Sequence, residues 1–284
     1  MTDQNLSLVQ PTIDHAIQAA PEKPKLEAAP KEIKKDYALI TGASSGIGEA
    51  FAKVLAAKKK PLILIGKNET KLKALAEELR TREGIDVRFL PIDLARSKEL
   101  PLLPGKLQNM GITVDVLINN AGFGKYGQES EIRYEDDLNM VNLNCRAVLA
   151  LTKLFLPSML ARRKGAIINV ASTAGFFPWP TMTTYAATKA FVISYSQGLA
   201  EELKGKGVKV LCTCPGPVAT SFQERAGLKV DPNDYKRYSD PQTIVEKTLE
   251  ALKSNKSLVI VGNSTGWTKW ALKLLPRSLF IKLV

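Results

Sequence analysis

Within TTYAATKAF, Thr183 to Phe191, a tyrosine stands four positions before a lysine. On a helix such positions share a face, so Tyr185 and Lys189 would meet. A free phenol has a pKa of about 10 and is a poor base at neutral pH. An ammonium beside it would favour the phenolate and bring the phenol toward the range of effective acid–base catalysis. Alternatives to this pair are scarce. The chain's one histidine, His15, lies in a leader without apolar periodicity. A Ser-His-Asp triad, a Cys-His dyad and a His-ligated zinc site are therefore excluded, and no metal site is expected. The three cysteines are Cys145, Cys212 and Cys214; the last two share one face of an apolar run and read as buried core thiols in a reducing, cytoplasmic setting.

The elements that would position the pair are legible around it. Residues 1–35, rich in Pro, Ala, Lys and Glu, read as a flexible arm. From Asp36, apolar runs alternate with helical patterns. The runs are YALIT (37–41), PLILIG (61–66), VRFLPI (87–92), VLINN (116–120), GAIINVAS (165–172), VKVLCTC (208–214) and SLVIVG (257–262). They are continuous rather than alternating, as strands covered on both faces should be. Right-handed βαβ units follow, giving an α/β fold: a Rossmann-like, doubly wound parallel sheet of about seven strands with helices on both faces, in a single domain over 36–262. No apolar run reaches the length of a membrane span, about 18 residues. The N-terminus has neither the basic nor the apolar region of a secretory signal.

The first strand runs into TGASSGIGEAF, with Gly42, Gly46 and Gly48 between strand and helix. In that context one glycine permits the tight turn, one lets backbone approach a pyrophosphate, and one lets helix and strand pack closely. The helix N-terminus then offers free N–H groups to the phosphates.

The spacing G-x-x-x-G-x-G resembles the cofactor motif of the short-chain dehydrogenase/reductase family. Further motifs match it in order. Asp93, with Leu94, follows the third strand; NNAG, Asn119 to Gly122, ends the fourth and includes Ala121; MVNLN carries Asn142 within a long helix; NVAS ends at Ser172. Tyr185 and Lys189 follow that serine by thirteen and seventeen positions, and PGPVAT contributes Pro215, Gly216, Val218 and Thr220. The resemblance implies that these residues, with Ser44, Ser45 and Ile47 of the glycine loop, bind a nicotinamide dinucleotide. It implies that Lys189 also holds the nicotinamide ribose and that Asn142 holds a water linking Lys189 to solvent. Homo-oligomers, dimers or tetramers, through the long helices are implied as well.

Position selects the dinucleotide. At the end of the second strand, where an NAD enzyme has Asp or Glu for the ribose 2′-OH, LILIGKNETKL places Gly66 and then Lys67. No carboxylate stands there to repel a 2′-phosphate, which favours NADP(H). Lys67 is placed to bind that phosphate or to remain a solvated loop lysine; as a lysine its contact is less directional than an arginine's. Ser172 would hydrogen-bond a substrate carbonyl oxygen and share its developing charge. The chain thus reads as an NADP(H)-dependent oxidoreductase interconverting a carbonyl and an alcohol, with Asn142, Ser172, Tyr185 and Lys189 as its catalytic set. The alternative is a non-catalytic NADP-binding sensor or scaffold.

The substrate side is less explicit. Phe176, Phe177 and Trp179 follow Ser172 and would form either an apolar substrate wall or part of a core or subunit interface. The net charge is +12, but no nucleic-acid module appears. From Ala251 onward there are six basic residues and no acid, so about half of the excess sits there. Within residues 263–284, Trp267, Trp270, Ala271, Leu274 and Leu275 form an apolar stripe with Lys269 and Lys273 off it. This basic amphipathic tail suits an anionic membrane surface, its own substrate pocket, or a neighbouring subunit. The expected location is cytoplasmic, with peripheral membrane contact left open.

Overall fold

The computed structural model describes residues 35–228, 231 and 238–262. The predicted arm up to Lys34, with His15, and the predicted amphipathic tail, 263–284, lie outside the described residues.

Seven strands form one parallel sheet in the order β3-β2-β1-β4-β5-β6-β7. They are β1 (Lys35–Thr41), β2 (Leu62–Gly66), β3 (Val87–Pro91), β4 (Ile112–Asn119), β5 (Gly165–Val170), β6 (Val208–Pro215) and β7 (Leu258–Val261). All seven expected strands are present in a doubly wound sheet. The order reverses between β1 and β4, so a crevice opens beyond their carboxyl ends, where ligands bind in such sheets.

The continuous apolar runs follow from cover on both faces. Tyr37 and Leu39 point into one core cluster with Phe155 and Met159, while Ala38 and Ile40 point into another with Phe51 and Leu55. Helices α1 (Gly46–Ala57) and α2 (Glu69–Glu83) cover the second face. The short α3 (Leu103–Asn109), preceded by a 3₁₀ turn at Leu100–Leu102, is as brief as Pro101 and Pro104 require.

The predicted long helix is present as a continuous run, Tyr134–Ala161, that contains one π turn. An α4 segment (Tyr134–Val141) passes through a π turn at Asn142–Arg146 into α5 (Ala147–Ala161). By length and composition the run Tyr134–Ala161 could cross a membrane, contrary to the expectation that none would. Its Ala147, Leu151, Phe155 and Met159 are instead buried in the core. Helix α6 (Thr183–Glu202) carries Tyr185 and Lys189. The short α7 (Phe222–Ala226) follows β6, and α8 (Pro241–Lys253) precedes β7.

Candidate active site

A cavity of about 1010 Å³ lies at the carboxyl ends of the strands, and the glycine loop forms one end of it. Gly42 and Gly46 have φ of 64° and 60°, a region that L side chains rarely adopt. A Cβ on Gly48 would lie 2.2 Å from the carbonyl oxygen of Gly42. The loop therefore folds over α1 only without side chains at these positions. Thr41 pins it to the neighbouring strand: its hydroxyl accepts from the backbone N–H groups of Asn120 and Ala121, each at 2.9 Å. This close, bare backbone before a helix N-terminus is the shape that a pyrophosphate requires, so the residues fit a dinucleotide.

Ser44, Ser45, Ile47, Lys67, Asp93 and Leu94 all line this end of the cavity. A Cβ on Gly66 would sit 3.4 Å from Ser44 Oγ, so the serine lies beside the position where an acid would otherwise stand. Lys67 is exposed, and its Nζ is 3.2 Å from Asp93 Oδ2. The lysine is thus neither free nor a buried anchor; it shares its charge with a carboxylate on the same rim.

At the other end, Ser172 closes β5, and its hydroxyl accepts from Ala174 N–H at 3.2 Å as a 3₁₀ turn begins. That turn packs tightly on α6, because a Cβ on Gly175 would come within 2.6 Å of the backbone carbon of Lys189. Ser172, Tyr185 and Lys189 are thereby brought to one wall. Tyr185 is 7% and Lys189 5% exposed. Burial pushes the Tyr185 phenol up to about 12, with the Ser172 hydroxyl pulling the other way. Burial also brings the Lys189 ammonium down to about 8. Its Nζ donates to Val170 O at 2.9 Å and lies 5.7 Å from the Tyr185 ring centroid.

The spacing of Tyr185 and Lys189 predicts a phenol lowered by the neighbouring ammonium. In the folded protein desolvation dominates both groups, and it keeps the phenol protonated. Cys212 and Cys214 are fully buried with their sulfurs 3.8 Å apart.

Two of the predicted asparagines, Asn142 and Asn119, lie off the cavity. Neither Asn142 nor Asn144 lines the cavity, but the π turn sets Asn144 directly behind Gly122, which does. Asn144 is 1% exposed. Its Oδ1 accepts from Phe123 N–H at 3.2 Å, and its Nδ2 donates to Phe123 O at 2.9 Å and to Thr188 Oγ1 at 3.0 Å. A Cβ on Gly122 would lie 3.0 Å from Asn144 Oδ1 and 3.3 Å from Lys189 Nζ, so Asn144 and Lys189 converge on that glycine. The physical reason is angular. Two residues apart on a helix differ by roughly 200° around the axis, so only one of the two asparagines can face α6.

Asn119 likewise points into the sheet core, where its Nδ2 donates to Asn169 Oδ1 at 2.9 Å. Asn120 is the residue on the cavity, its Nδ2 donating to Thr41 O at 2.8 Å. Gly48 also sits behind the cavity wall, while Ala121, Gly122, Pro215, Gly216, Val218 and Thr220 line it.

The open alternatives for the aromatics divide. Phe177 and Trp179 line the cavity, with Phe123, Tyr126, Met182 and Phe222 beside them. Phe176 does not line it and packs against the cluster around Val192 and Cys212. Phe222 and Tyr185 meet with ring centroids 5.4 Å apart.

A sequence model described as short chain dehydrogenase matches residues 36–230. A very-long-chain 3-oxoacyl-CoA reductase of Phaeosphaeria nodorum is 35% identical over 221 residues, covering 76% of this chain and 63% of that protein. A very-long-chain 3-oxoacyl-CoA reductase of Macaca fascicularis is 30% identical over 254 residues, 87% of this chain and 78% of its own length. Among solved structures, a short-chain dehydrogenase from Sphingobium yanoikuyae in complex with NADPH has a TM-score of 0.74 at 31% identity, covering 88% of this chain and 96% of that one. The bulky-bulky ketone specific alcohol dehydrogenase from Comamonas testosteroni has a TM-score of 0.69 at 28% identity, covering 89% and 91%.

Proposed function

The chain belongs to the short-chain dehydrogenase family, and we propose that it is an NADP(H)-dependent reductase of an apolar carbonyl substrate, with Tyr185 as the proton donor. The observation that carries this reading is the wall of Ser172 with the buried Tyr185 and Lys189, in the same cavity as a glycine loop that excludes side chains.

The glycine loop, Ser44 and Lys67 would hold the phosphates, Asp93 and Leu94 the adenosine end, and Lys189 with residues 215–220 the nicotinamide end. NADP(H), when bound, supplies the hydride. The protein's own part is protonic and positional. A phenol held up to about 12 keeps its proton at neutral pH, the form a donor to a carbonyl oxygen needs. Ser172 hydrogen-bonds the same oxygen and shares its charge. A lysine brought down to about 8 exchanges protons near neutrality and can restore the phenol's proton. Asn144, rather than Asn142, is a positioning residue: it ties Phe123 to α6 beside Lys189.

Phe123, Phe177, Trp179, Met182 and Phe222 give the substrate end an apolar wall. Together with the relatives named as 3-oxoacyl-CoA reductases, this wall points to a 3-oxoacyl thioester with a long acyl chain as substrate. The chain aligns with 63% of the length of the first such relative, so the acyl substrate rests on the cavity as well as on kinship. The test is NADPH oxidation with 3-oxoacyl-CoA compounds of graded chain length and with bulky ketones, run beside NADH. Turnover that rises with chain length and prefers NADPH supports the reading. Coenzyme binding with no turnover on any carbonyl would favour the sensor or scaffold alternative.

Leu138, Val141, Leu149 and Phe191 leave apolar surface exposed on the long helices and α6, with Phe191 stacked on Tyr195 at 5.8 Å. A homo-oligomer would cover it, and sedimentation of the full chain measures that. For the tail, loss of liposome binding on deleting residues 264–284 would support the membrane-surface reading.

A further inference from the structure

The cavity holds a cation that neither the sequence motifs nor the proposed chemistry uses. Arg225 lies on α7, on the substrate side, yet its Nη1 is 3.4 Å from Ser45 Oγ in the glycine loop, a contact across 180 positions of sequence. Among the described residues it forms no ion pair with a carboxylate. Lys67, the lysine at the same end, shares its charge with Asp93 at 3.2 Å. Among the described residues, the glycine loop therefore faces an ammonium shared with Asp93 and a guanidinium with no carboxylate on it.

Helix α7 is held in this place from several sides. Phe222 N–H donates to Thr220 Oγ1 at 3.2 Å, and Gln223 Nε2 donates to Val218 O at 3.0 Å. Tyr126 N–H donates to Ala226 O at 2.9 Å, joining the end of α7 to the segment after β4. Thr220 itself abuts the loop, since a Cβ on Gly46 would lie 3.0 Å from its Cγ2. At the start of α7, Phe222 lies against Tyr185, and a Cβ on Gly124 would come within 2.9 Å of its Cζ. One short helix thus sets an arginine at the phosphate loop and an aromatic ring on the catalytic phenol.

We propose that Arg225 binds a phosphate of the dinucleotide from the substrate side, and that through α7 this contact fixes Phe222 over Tyr185. A guanidinium suits the task, because it presents a planar fork of donors to phosphate oxygens. The inference rests on the reading that this cavity takes NADP(H).

The experiment measures dissociation constants of NADPH and NADH for the full chain by quenching of tryptophan fluorescence. Wild type, Arg225→Gln and Arg225→Lys are compared at two ionic strengths, and the melting temperature of each is recorded without coenzyme. Arg225→Gln should weaken NADPH binding about tenfold and flatten its salt dependence, while Arg225→Lys retains most of the affinity and all melting temperatures agree. Loss confined to NADPH assigns the 2′-phosphate; equal loss with NADH assigns the pyrophosphate. Unchanged affinity for both coenzymes in Arg225→Gln would overturn the proposal. So would equal losses in both variants accompanied by a fall in melting temperature, which would make Arg225 a structural pin. Wild type that binds neither coenzyme would instead remove the proposed function itself, and this inference with it.

Discussion

The two ends of the cavity are built on opposite principles. At the phosphate end, space is controlled by backbone and charge is left near water: Gly42, Gly46 and Gly48 exclude side chains, while Lys67 is 72% exposed at the side chain. At the end proposed as catalytic, Tyr185, Lys189 and Asn144 are all buried, and backbone groups anchor Lys189 and Asn144. Buried groups have their protonation set by desolvation, whereas exposed charges are screened and individually weak. Substitutions at the catalytic end should therefore be costly in rate and in pH behaviour. Single charge changes at the phosphate end should be mild.

The largest effect expected is on Tyr185. Tyr185→Phe keeps the ring that packs on Phe222 and removes only the hydroxyl. Steady-state kinetics should show kcat reduced about a thousandfold, with the NADPH dissociation constant within about twofold of wild type, because the phosphate end is untouched. A loss below tenfold would place the proton donor elsewhere and break the contrast between the two ends.

Lys189 should reveal the same burial through stability. In the unfolded chain the lysine keeps its proton to about 10.5, whereas in the folded protein it does so only to about 8. Between those values the unfolded state binds more protons, so folding stability rises with pH from about 8 to about 10. Tyr185 acts in the opposite sense. Its phenol stays protonated to about 12 when folded, against about 10 when unfolded, so stability falls again above about 10. The lysine's share is on the order of 3 kcal/mol. Urea unfolding across this range should show the rise in wild type and lose it in Lys189→Met. A rise that persists in that variant would mean the lysine is solvated.

The paired asparagines sharpen the comparison within one turn of helix. Asn144→Ala removes three side-chain hydrogen bonds and takes away the partner of the Phe123 N–H and C=O, while Thr188 keeps its bond to Tyr185 O. A stability loss of about 2 kcal/mol and a kcat lower by about thirtyfold are expected. Asn142→Ala, away from the cavity, should change kcat by less than about twofold. The reverse ranking would return the role to Asn142.

This pair also marks where the sequence stops being explicit. The seven strands are readable because a strand buried on both faces is continuously apolar, and Tyr185 and Lys189 because four positions make one helical turn. The π turn is not readable: MVNLNC offers two asparagines, and only the added residue in the turn decides which one faces α6. NNAG hides the same ambiguity, since Asn119 ends β4 facing the core and Asn120 begins the loop. The pKa directions lay beyond reach as well, because they depend on exclusion of water by segments distant in sequence. Arg225 gave no signal, for its partner Ser45 is distant in sequence and no motif joins them.

Among the residues that line the cavity, the smallest effect belongs to Lys67, and its smallness is itself informative. An exposed ammonium already paired with Asp93 gains little more from a second anion, and the gain is screened by salt. Lys67→Ala should raise the NADPH dissociation constant about fivefold at low ionic strength and leave NADH unchanged. At high salt the difference should shrink toward nothing. Asp93→Asn should move NADPH affinity the other way, by freeing the lysine. If Lys67→Ala instead abolished NADPH binding, one exposed charge would dominate the phosphate end. The glycine-built cradle and Arg225 would then be secondary, and the two ends would no longer differ in principle.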